Sequence, residues 1–591
     1  MARLVIDPVT RVGAHLRLEV DVAGGAVRDA WVAGTMFRGI ERVLRGRDPR
    51  DAWLLAQRIC GTCTGVHALA SVRAVEDALG ITIPPNARLA RNLLAGTQNV
   101  ADHVVGFYQR QAFDWVDVVA ALDADPAATG VLARSISSWP EASAAYFAGV
   151  QERITRLVQA GQPGPLANGP WSHPALTLPP EACLLIVAHY FEAVDWNRRF
   201  MRMHTLLGGK SPHPQTFLVG GMALVPPWGG PTTTIGGEHP AQVERESPLA
   251  LGPRGLDLMA DLIAEATRFV EQVLVPDVLL LAGHYRAEWA SVGAGLGTYL
   301  AFGDFPEDDA AEPALLLPRG RIVARELGRV EPVEQERVGE SIAHAHYADS
   351  GTSSAPRHPW DGATDPSYQG PPPPVTTLEG SQRYSWVKAP RYDGEPAEVG
   401  ALARMLVGYV EARADARTAV RRAAEVLGGG PEVLFGTLGR IVARALEAQV
   451  VVGRLEAWRA ELVGRLADGD LAIADTTSWN PGSWPAVTRG WSFGESPRGA
   501  VGHWVSIKDG LVDEYQVVDA GTWNASPRDE RDRRGACEEA LVGTPVADPA
   551  RPLEVLRVVH SFDPCPPCAV HAFGPRAEEA VQVHVTRRSP R

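Results

Sequence analysis

Hydrophobic and polar positions alternate at the start of the chain. Leu16, Leu18, Val20 and Val22 fall on one side and Arg17, Glu19 and Asp21 on the other. Gly24-Gly25 follow, and a second short run continues to Val32. A period of two broken by a glycine pair predicts a hairpin with one buried face. The period then changes. Leu69, Val72, Val75 and Leu79 make a stripe at helical spacing, and Gly80 supplies a stop. Residues 86–121, 256–282, 397–427 and 438–466 are the longest helical stretches, the last carrying Leu438, Ile441, Val442, Ala445, Leu446, Val450 and Leu455. Several long helices in one chain predict a bundle core. From about 304 to 395 the sequence turns polar and Pro-rich, with Pro371 to Pro374 in a row. Trp360, Tyr368, Tyr384 and Trp386 are spread through it, which argues for an ordered insertion rather than a linker. Residues 500–523 alternate weakly and predict a few strands. The expected fold class is mainly α with α+β parts: a long-helix bundle core with small peripheral sheets.

Composition narrows the function. The chain has 591 residues and a formal net charge of −13. A chain of this length buries a large core without covalent staples. The acidic balance argues against nucleic acid as a partner, since phosphate binding needs clustered Lys and Arg. No apolar run approaches the roughly 18 residues of a membrane span. The opening MARLVIDPVTRVGAHL shows neither an apolar signal core nor a twin-arginine pair, so export would depend on another chain.

Six cysteines exclude a disulfide scaffold. Four of them form two C-x-x-C pairs, Cys60/Cys63 and Cys565/Cys568, one near each end. Each pair sets two sulfurs a few ångströms apart, and two pairs brought together give four thiolates, a donor set for soft or borderline metals. A structural zinc site is the simplest reading. Zinc ribbons, however, separate their pairs by about 15–20 residues, whereas almost the whole chain lies between these two. Each pair is also followed by a histidine, His67 and His571, which can add a second polar layer. A thioredoxin-like redox role suits one C-x-x-C, not two. Cys183 and Cys537 stand outside the pairs and read as small structural residues.

The patterns R-x-C-G-x-C-x-x-x-H and D-P-C-x-x-C-x-x-H resemble the two signature motifs of the large subunit of nickel–iron hydrogenases. Further stretches are similar to that family: Met36 to Glu41, Gly46 to Ala52, Gly208 to Pro214, Val219 to Met222, Arg383 to Trp386, Pro497-Arg498-Gly499 and Trp523 to Asp529. The resemblance covers about residues 4–571 and is nearest to the membrane-associated uptake enzymes. It implies one large-subunit domain over 1–571 and a C-terminal maturation peptide over 572–591, cleaved after His571 once nickel is inserted.

By the same resemblance, Cys60 and Cys565 are terminal nickel ligands, and Cys63 and Cys568 bridge nickel to an iron carrying carbon monoxide and cyanide. Cleaving hydrogen heterolytically needs a Lewis acid for the hydride and a base for the proton; Cys565 is the implied base. Arg498, beside Pro497, would hang its guanidinium over the open coordination position, with Asp102 and Asp563 pinning it. Glu41, His571 and the backbone carbonyl of Val517 match the ligands of a magnesium or iron ion. His67 resembles a histidine that hydrogen-bonds a bridging sulfur. The four committed cysteines leave none for an iron–sulfur cluster in this chain, so electrons must leave through an iron–sulfur small subunit. Further implied partners are a membrane cytochrome b, a maturation protease and nickel-insertion factors, with membrane association through the small subunit.

Two departures from the family pattern stand out. The family reads T-R-I-E-G-H near the N-terminus, where Glu is the first proton relay; this chain has Gly13 there. The family also reads V-V-P-(S/T)-T-W-N, where the hydroxyl donates to a cyanide; this chain has Asp519, Ala520 and Gly521. The ligands are intact, but the proton exit and the iron's surroundings differ. The expected function is hydrogen oxidation by a nickel–iron hydrogenase subunit. The alternatives are a catalytically impaired or zinc-holding relative, and a hydrogen sensor, although sensors end at the last motif. A related respiratory-complex subunit lacks the cysteine pairs and is excluded.

Overall fold

The computed structural model describes residues 2–224, 252–348, 356–368, 377–378, 382–565 and the strand at 582–587, apart from positions 14, 163, 165, 167, 168 and 363. The chain opens with three antiparallel strands, β1 (Ala2–Asp7), β2 (Leu16–Ala23) and β3 (Ala26–Gly34). The hairpin is as predicted, but its second face is buried too. Glu19 is buried, and its carboxylate accepts hydrogen bonds from Arg3 (2.8 Å), Arg17 (2.9 Å) and the backbone N–H of Leu378 (2.9 Å). The polar residues of β2 are thus ion-paired beneath the 304–395 segment, where alternation alone reads them as solvated.

The short helix α1 (Ile40–Leu44) follows. Helix α2 (Thr64–Leu79) begins immediately after Cys63 and ends at Gly80, which adopts the left-handed conformation the sequence predicts there (φ 65°). The predicted stripe understates its burial: His67, Ser71 and Glu76 are buried as well as the apolar residues. The stretch expected as one helix over 86–121 is α3 (Pro85–Val105), continued by a wider π-type turn at Gly106–Gln111 and a tight turn at Ala112–Asp114. Helix α4 (Pro180–Phe200) comes next. The 256–282 stretch is likewise split, into α5 (Pro253–Phe269), a π-type turn and α6 (Val275–Trp289). Residues 397–427 hold two helices, α7 (Ala401–Val410) and α8 (Ala414–Leu427), preceded by a short strand at Glu398–Val399.

The bundle is organised around α9 (Thr437–Ala467), which lies along α3 and touches α5 to α8. Gly96 lies in this seam: a Cβ there would stand 2.8 Å from the Leu455 side chain, which would have to shift to admit a larger residue. The weak alternation over 500–523 belongs to a larger sheet of β4 (Val487–Ser496), β5 (Gly499–Lys508) and β6 (Leu511–Val518), packed against α2. The helical turn α10 (Ala520–Asn524) and helix α11 (Leu553–Ser561) lead to the second cysteine motif. The insertion over 304–395 is ordered where described, carrying short strands such as Val338–Ser341 against Ala389–Tyr392. Strand β7 (Gln582–Arg587), from the C-terminal extension, pairs with the outer edge of β1. Among the described residues, no helix is long and apolar enough to cross a membrane.

Candidate metal centre

The two ends of the chain meet at the cysteines. Cys60 enters at the end of a short 3-10 turn, and Cys63 caps α2. Cys565 arrives from α11 through Phe562, Asp563 and Pro564. The Cys60 and Cys565 sulfurs are 3.2 Å apart, and the sulfurs of Cys60, Cys63 and Cys565 all lie within 4.8 Å of one another. All three are buried, in an apolar cluster with Val66, Ala70 and Val501. Cys568 and His571 lie outside the described residues. Three buried soft donors brought together fit nickel and a thiophilic partner metal.

Arg498 is positioned by a tight turn. Ser496 and Gly499 pair across the β4–β5 hairpin, leaving Pro497 and Arg498 as its two loop residues. Arg404 ties the turn down from α7 by donating to the carbonyls of Ser496 and Pro497 (each 3.0 Å). The Arg498 side chain donates to both oxygens of Asp102 (3.0 and 3.3 Å), and its Nε lies 3.2 Å from Asp563. Burial works against the guanidinium, but Asp102, Asp563 and the Cys565 and Cys63 thiolates outweigh it and hold its pKa well above the usual value. Arg498, Gly521, Asp563 and Cys565 line a cavity of about 10 Å³, the scale of a single small molecule.

Two further arginines, which the motifs do not show, share these carboxylates. Arg110 lies 2.9 Å from Asp563 and 3.3 Å from Asp102, and Arg444 lies 3.2 Å from Asp563. Burial would raise the Asp563 carboxyl, but Arg110, Arg498 and Arg444 together hold it well below the carboxylate range. Arg110 sits in the π-type turn after α3 and Arg444 in α9, so only the assembled bundle reveals them.

Glu41 lies against Val517, through the backbone N–H of Val517 rather than the carbonyl that the resemblance implies as a ligand. The Val517 N–H donates to the Glu41 carboxylate (2.9 Å), and Thr364 donates to its other oxygen. Missing from the sequence reading are Lys388 and Glu340, 3.1 Å apart, with Lys388 Nζ also 2.8 Å from Gln516. Burial pushes the Glu340 carboxyl up to about 7, against the Lys388 charge. The pocket they line with Glu41 has about 40 Å³ of space, room for about three water-sized groups, and Lys388 Nζ stands 3.8 Å from the Glu41 carboxylate. A carboxylate, a carbonyl and neighbouring oxygen groups suit a hard ion such as magnesium.

His67 is fully buried. Burial pushes its imidazole down to about 4 against the opposing pull of Cys60, so it is neutral. Its Nδ1 lies 3.2 Å from His503 Nε2, and His503 Nδ1 lies 2.7 Å from the Tyr515 hydroxyl. His503 and Tyr515 are another pair the motifs do not show; they reach the site from the β5–β6 hairpin.

Both departures have a structural counterpart. Gly13 is exposed in the isolated chain. Asp519 caps α10, accepting the Thr522 N–H (3.0 Å) and donating its own N–H to the Thr522 hydroxyl (2.9 Å). Its buried second oxygen has no hydrogen-bond partner among the described residues, and burial pushes the carboxyl up to about 7 against those backbone donors. At Gly521 a Cβ would stand 2.6 Å from the Cys565 carbonyl oxygen, so the hydroxyl of the family pattern has no room here. Cys183 and Cys537 are buried free thiols, each pushed up to about 12 by burial, as inert structural residues should be.

Comparison with known proteins agrees with this geometry. The family model of nickel-dependent hydrogenases matches residues 38–571. The chain is 43% identical to the uptake hydrogenase large subunit of Rhizobium leguminosarum bv. viciae, over 99% of this chain and 97% of that protein. It is also 43% identical, over the same shares, to the hydrogenase-1 large chain of Escherichia coli. Among solved structures, the Ni-Fe-Se hydrogenase of Desulfovibrio vulgaris Hildenborough in its reduced state superposes with a TM-score of 0.72 at 32% identity, covering 96% of this chain and 99% of that one. With Cys60, Cys63 and Cys565 brought together and the family model matched over residues 38–571, the chain belongs to the nickel-dependent hydrogenase family as a large subunit.

Proposed function

We propose that this chain is the hydrogen-activating subunit of an uptake hydrogenase, splitting H2 into protons and electrons that leave through an iron–sulfur small subunit. The observation that carries this reading is the buried convergence of Cys60, Cys63 and Cys565 beside the pinned guanidinium of Arg498. Cys60, Cys63, Cys565 and Cys568 would hold the nickel–iron centre, with carbon monoxide and cyanide on the iron installed by maturation factors. When bound, that centre supplies the Lewis acidity that polarises the H–H bond. The protein supplies the rest. The Cys565 thiolate takes the proton. The fixed positive charge of Arg498 favours charge separation in a small cavity lined by buried side chains, where electrostatic stabilisation is strong. Asp102 and Asp563 keep the guanidinium from collapsing onto the thiolates. The names of the relatives favour this reading over the zinc-holding and sensor alternatives.

Several finer assignments accompany it. Glu41, the Val517 carbonyl and His571 would hold magnesium or iron and so anchor the C-terminal motif. Residues 572–591 would be removed by a maturation protease once nickel is in place. The proton would not leave through position 13, since Gly13 has no side chain to carry it. Membrane association, and electron delivery to a cytochrome b, would come through the small subunit.

The test is hydrogen-dependent dye reduction by the purified pair of subunits. Cys565→Ser should abolish turnover and lower bound nickel. A Cys565→Ser enzyme as active as its parent would remove the proposed base. Mass measurement of the active large subunit should show an end at His571, and an active preparation ending at Arg591 would remove the maturation peptide from the account.

A further inference from the structure

The loop that carries Cys60 and Cys63 is held from one side by Gln98, a buried residue of α3. Its Nε2 donates to the Thr62 carbonyl (2.6 Å), and its Oε1 accepts the Gly65 N–H (3.2 Å). A carbonyl can only accept and a backbone N–H can only donate, so the two contacts fix which end of the amide faces which partner. The fit is close: a Cβ at Gly65 would stand 2.7 Å from Gln98 Oε1 and would displace it.

Held in this way, the loop turns three donors onto one sulfur. The N–H groups of Thr62 and Cys63 lie 3.4 and 3.3 Å from Cys60 Sγ, and the Thr62 hydroxyl lies 3.1 Å from it. The backbone groups donate because they carry the hydrogens. The direction of the hydroxyl follows from ligand chemistry. A cysteine that binds a metal is a thiolate with no hydrogen to give, so Thr62 is the donor. Hydrogen bonds to an anion are stronger than those between neutral groups. Three of them draw charge from the Cys60 sulfur that it would otherwise pass to a bound metal. The hydroxyl is the one of the three that a side-chain exchange removes.

We infer that Thr62 and Gln98 tune the metal centre through Cys60: Thr62 donates its hydroxyl to the Cys60 sulfur, and Gln98 is the positioning residue that fixes the loop so that it can. Two residues outside the ligand set thereby share in setting the electron density of the metals. This inference rests on the metal-centre reading above, in which Cys60 is a terminal nickel ligand.

The test is infrared spectroscopy of the metal-loaded pair of subunits. Thr62→Val exchanges the hydroxyl for a methyl of similar shape, at a residue exposed in the isolated chain. Its carbon monoxide band should move to lower wavenumber, because a sulfur relieved of a donor passes more charge to the metals. Thr62→Ser keeps a hydroxyl and should leave the band at the parental position. Gln98→Met removes both clamp contacts and should move the band the same way as Thr62→Val. Adding Thr62→Val to Gln98→Met should then move it no further, the non-additivity expected of two residues acting through one contact. An unmoved band in Thr62→Val, or full additivity in the double variant, overturns the proposal. Cobalt(II) added to the metal-free protein reads the same sulfur without the native metals. Its thiolate-to-cobalt charge-transfer band should move to longer wavelength in Thr62→Val, and an unmoved band overturns the proposal even where that variant takes up no nickel and iron. Zinc in place of nickel and iron in the parent would instead remove the metal-centre reading, and the cobalt band would still decide whether Thr62 donates to Cys60.

Discussion

Arg498 and Asp102, 396 residues apart in sequence, are joined by two near-parallel hydrogen bonds of 3.0 and 3.3 Å. Such a fork needs the planar guanidinium, because an ammonium is a point charge with no fixed pair of donors. Arg498→Lys should therefore keep the fold, since Arg110 and Arg444 still neutralise Asp563. It should lower hydrogen–deuterium exchange about 100-fold, the loss typical of removing one preorganised electrostatic group. Exchange is measured alongside nickel and iron content. A metal-loaded Lys variant with parental exchange would show that the fork plays no part.

The turn carrying Arg498 depends on Arg404. Its guanidinium binds Glu447 through two 2.7 Å contacts and Glu495 at 2.5 Å while also holding the Ser496 and Pro497 carbonyls. Arg404→Met strands the buried Glu447 carboxylate without its main cation, a loss of about 3–5 kcal/mol; burial pushes the other partner, Glu495, up to about 7 even beside Arg404, so the stranded charge at neutral pH is chiefly that of Glu447. Urea unfolding of the metal-free protein reads the loss. Burial would raise Glu447, but Arg404 and the His103 hydrogen bond hold it well below the ordinary carboxylate range. A depressed carboxylate contributes stability that is present above its unfolded value and lost as the pH falls toward the native one. The gap between parent and variant should thus be widest near neutrality and narrow below about pH 4.5. Equal midpoints at neutral pH would contradict the assigned role.

Gly521→Ser tests the departure from the family pattern. The new Cβ would sit 2.6 Å from the Cys565 carbonyl oxygen and 3.1 Å from Asp519. Backbone must shift, at about 1–3 kcal/mol, and the backbone in question carries a thiolate. The variant should bind less nickel and melt at a lower temperature, even though its residue is the one the family uses. Unchanged nickel and melting temperature would show that the segment has slack.

The sequence made some of this legible and concealed the rest for physical reasons. The α2 helix and its Gly80 stop follow from spacing and residue type, while the meeting of Cys60 and Cys63 with Cys565 was implied by their soft-donor chemistry and the family resemblance. The long helices were visible, but their interruptions at Gly106–Gln111 and Val270–Leu274 were not, because π-type turns preserve the apolar pattern they widen. The β2 strand was misread on its polar face, since alternation cannot show that Arg3 and Arg17 neutralise Glu19 under an overlying segment. Arg110, Arg444, Lys388, His503 and Tyr515 each belong to elements distant in sequence from the cysteines. Their roles exist only once the bundle and the β4–β6 sheet close around the site.

The zinc-holding alternative and the hydrogen-activating reading differ in which metal the site of Cys60, Cys63 and Cys565 holds, and one preparation separates them. The purified pair of subunits should contain nickel bound by the large subunit, with one iron of the same site showing carbon monoxide and cyanide bands in the infrared, where protein does not absorb. Zinc in place of nickel, with an infrared window empty of those bands, would contradict the account at its centre.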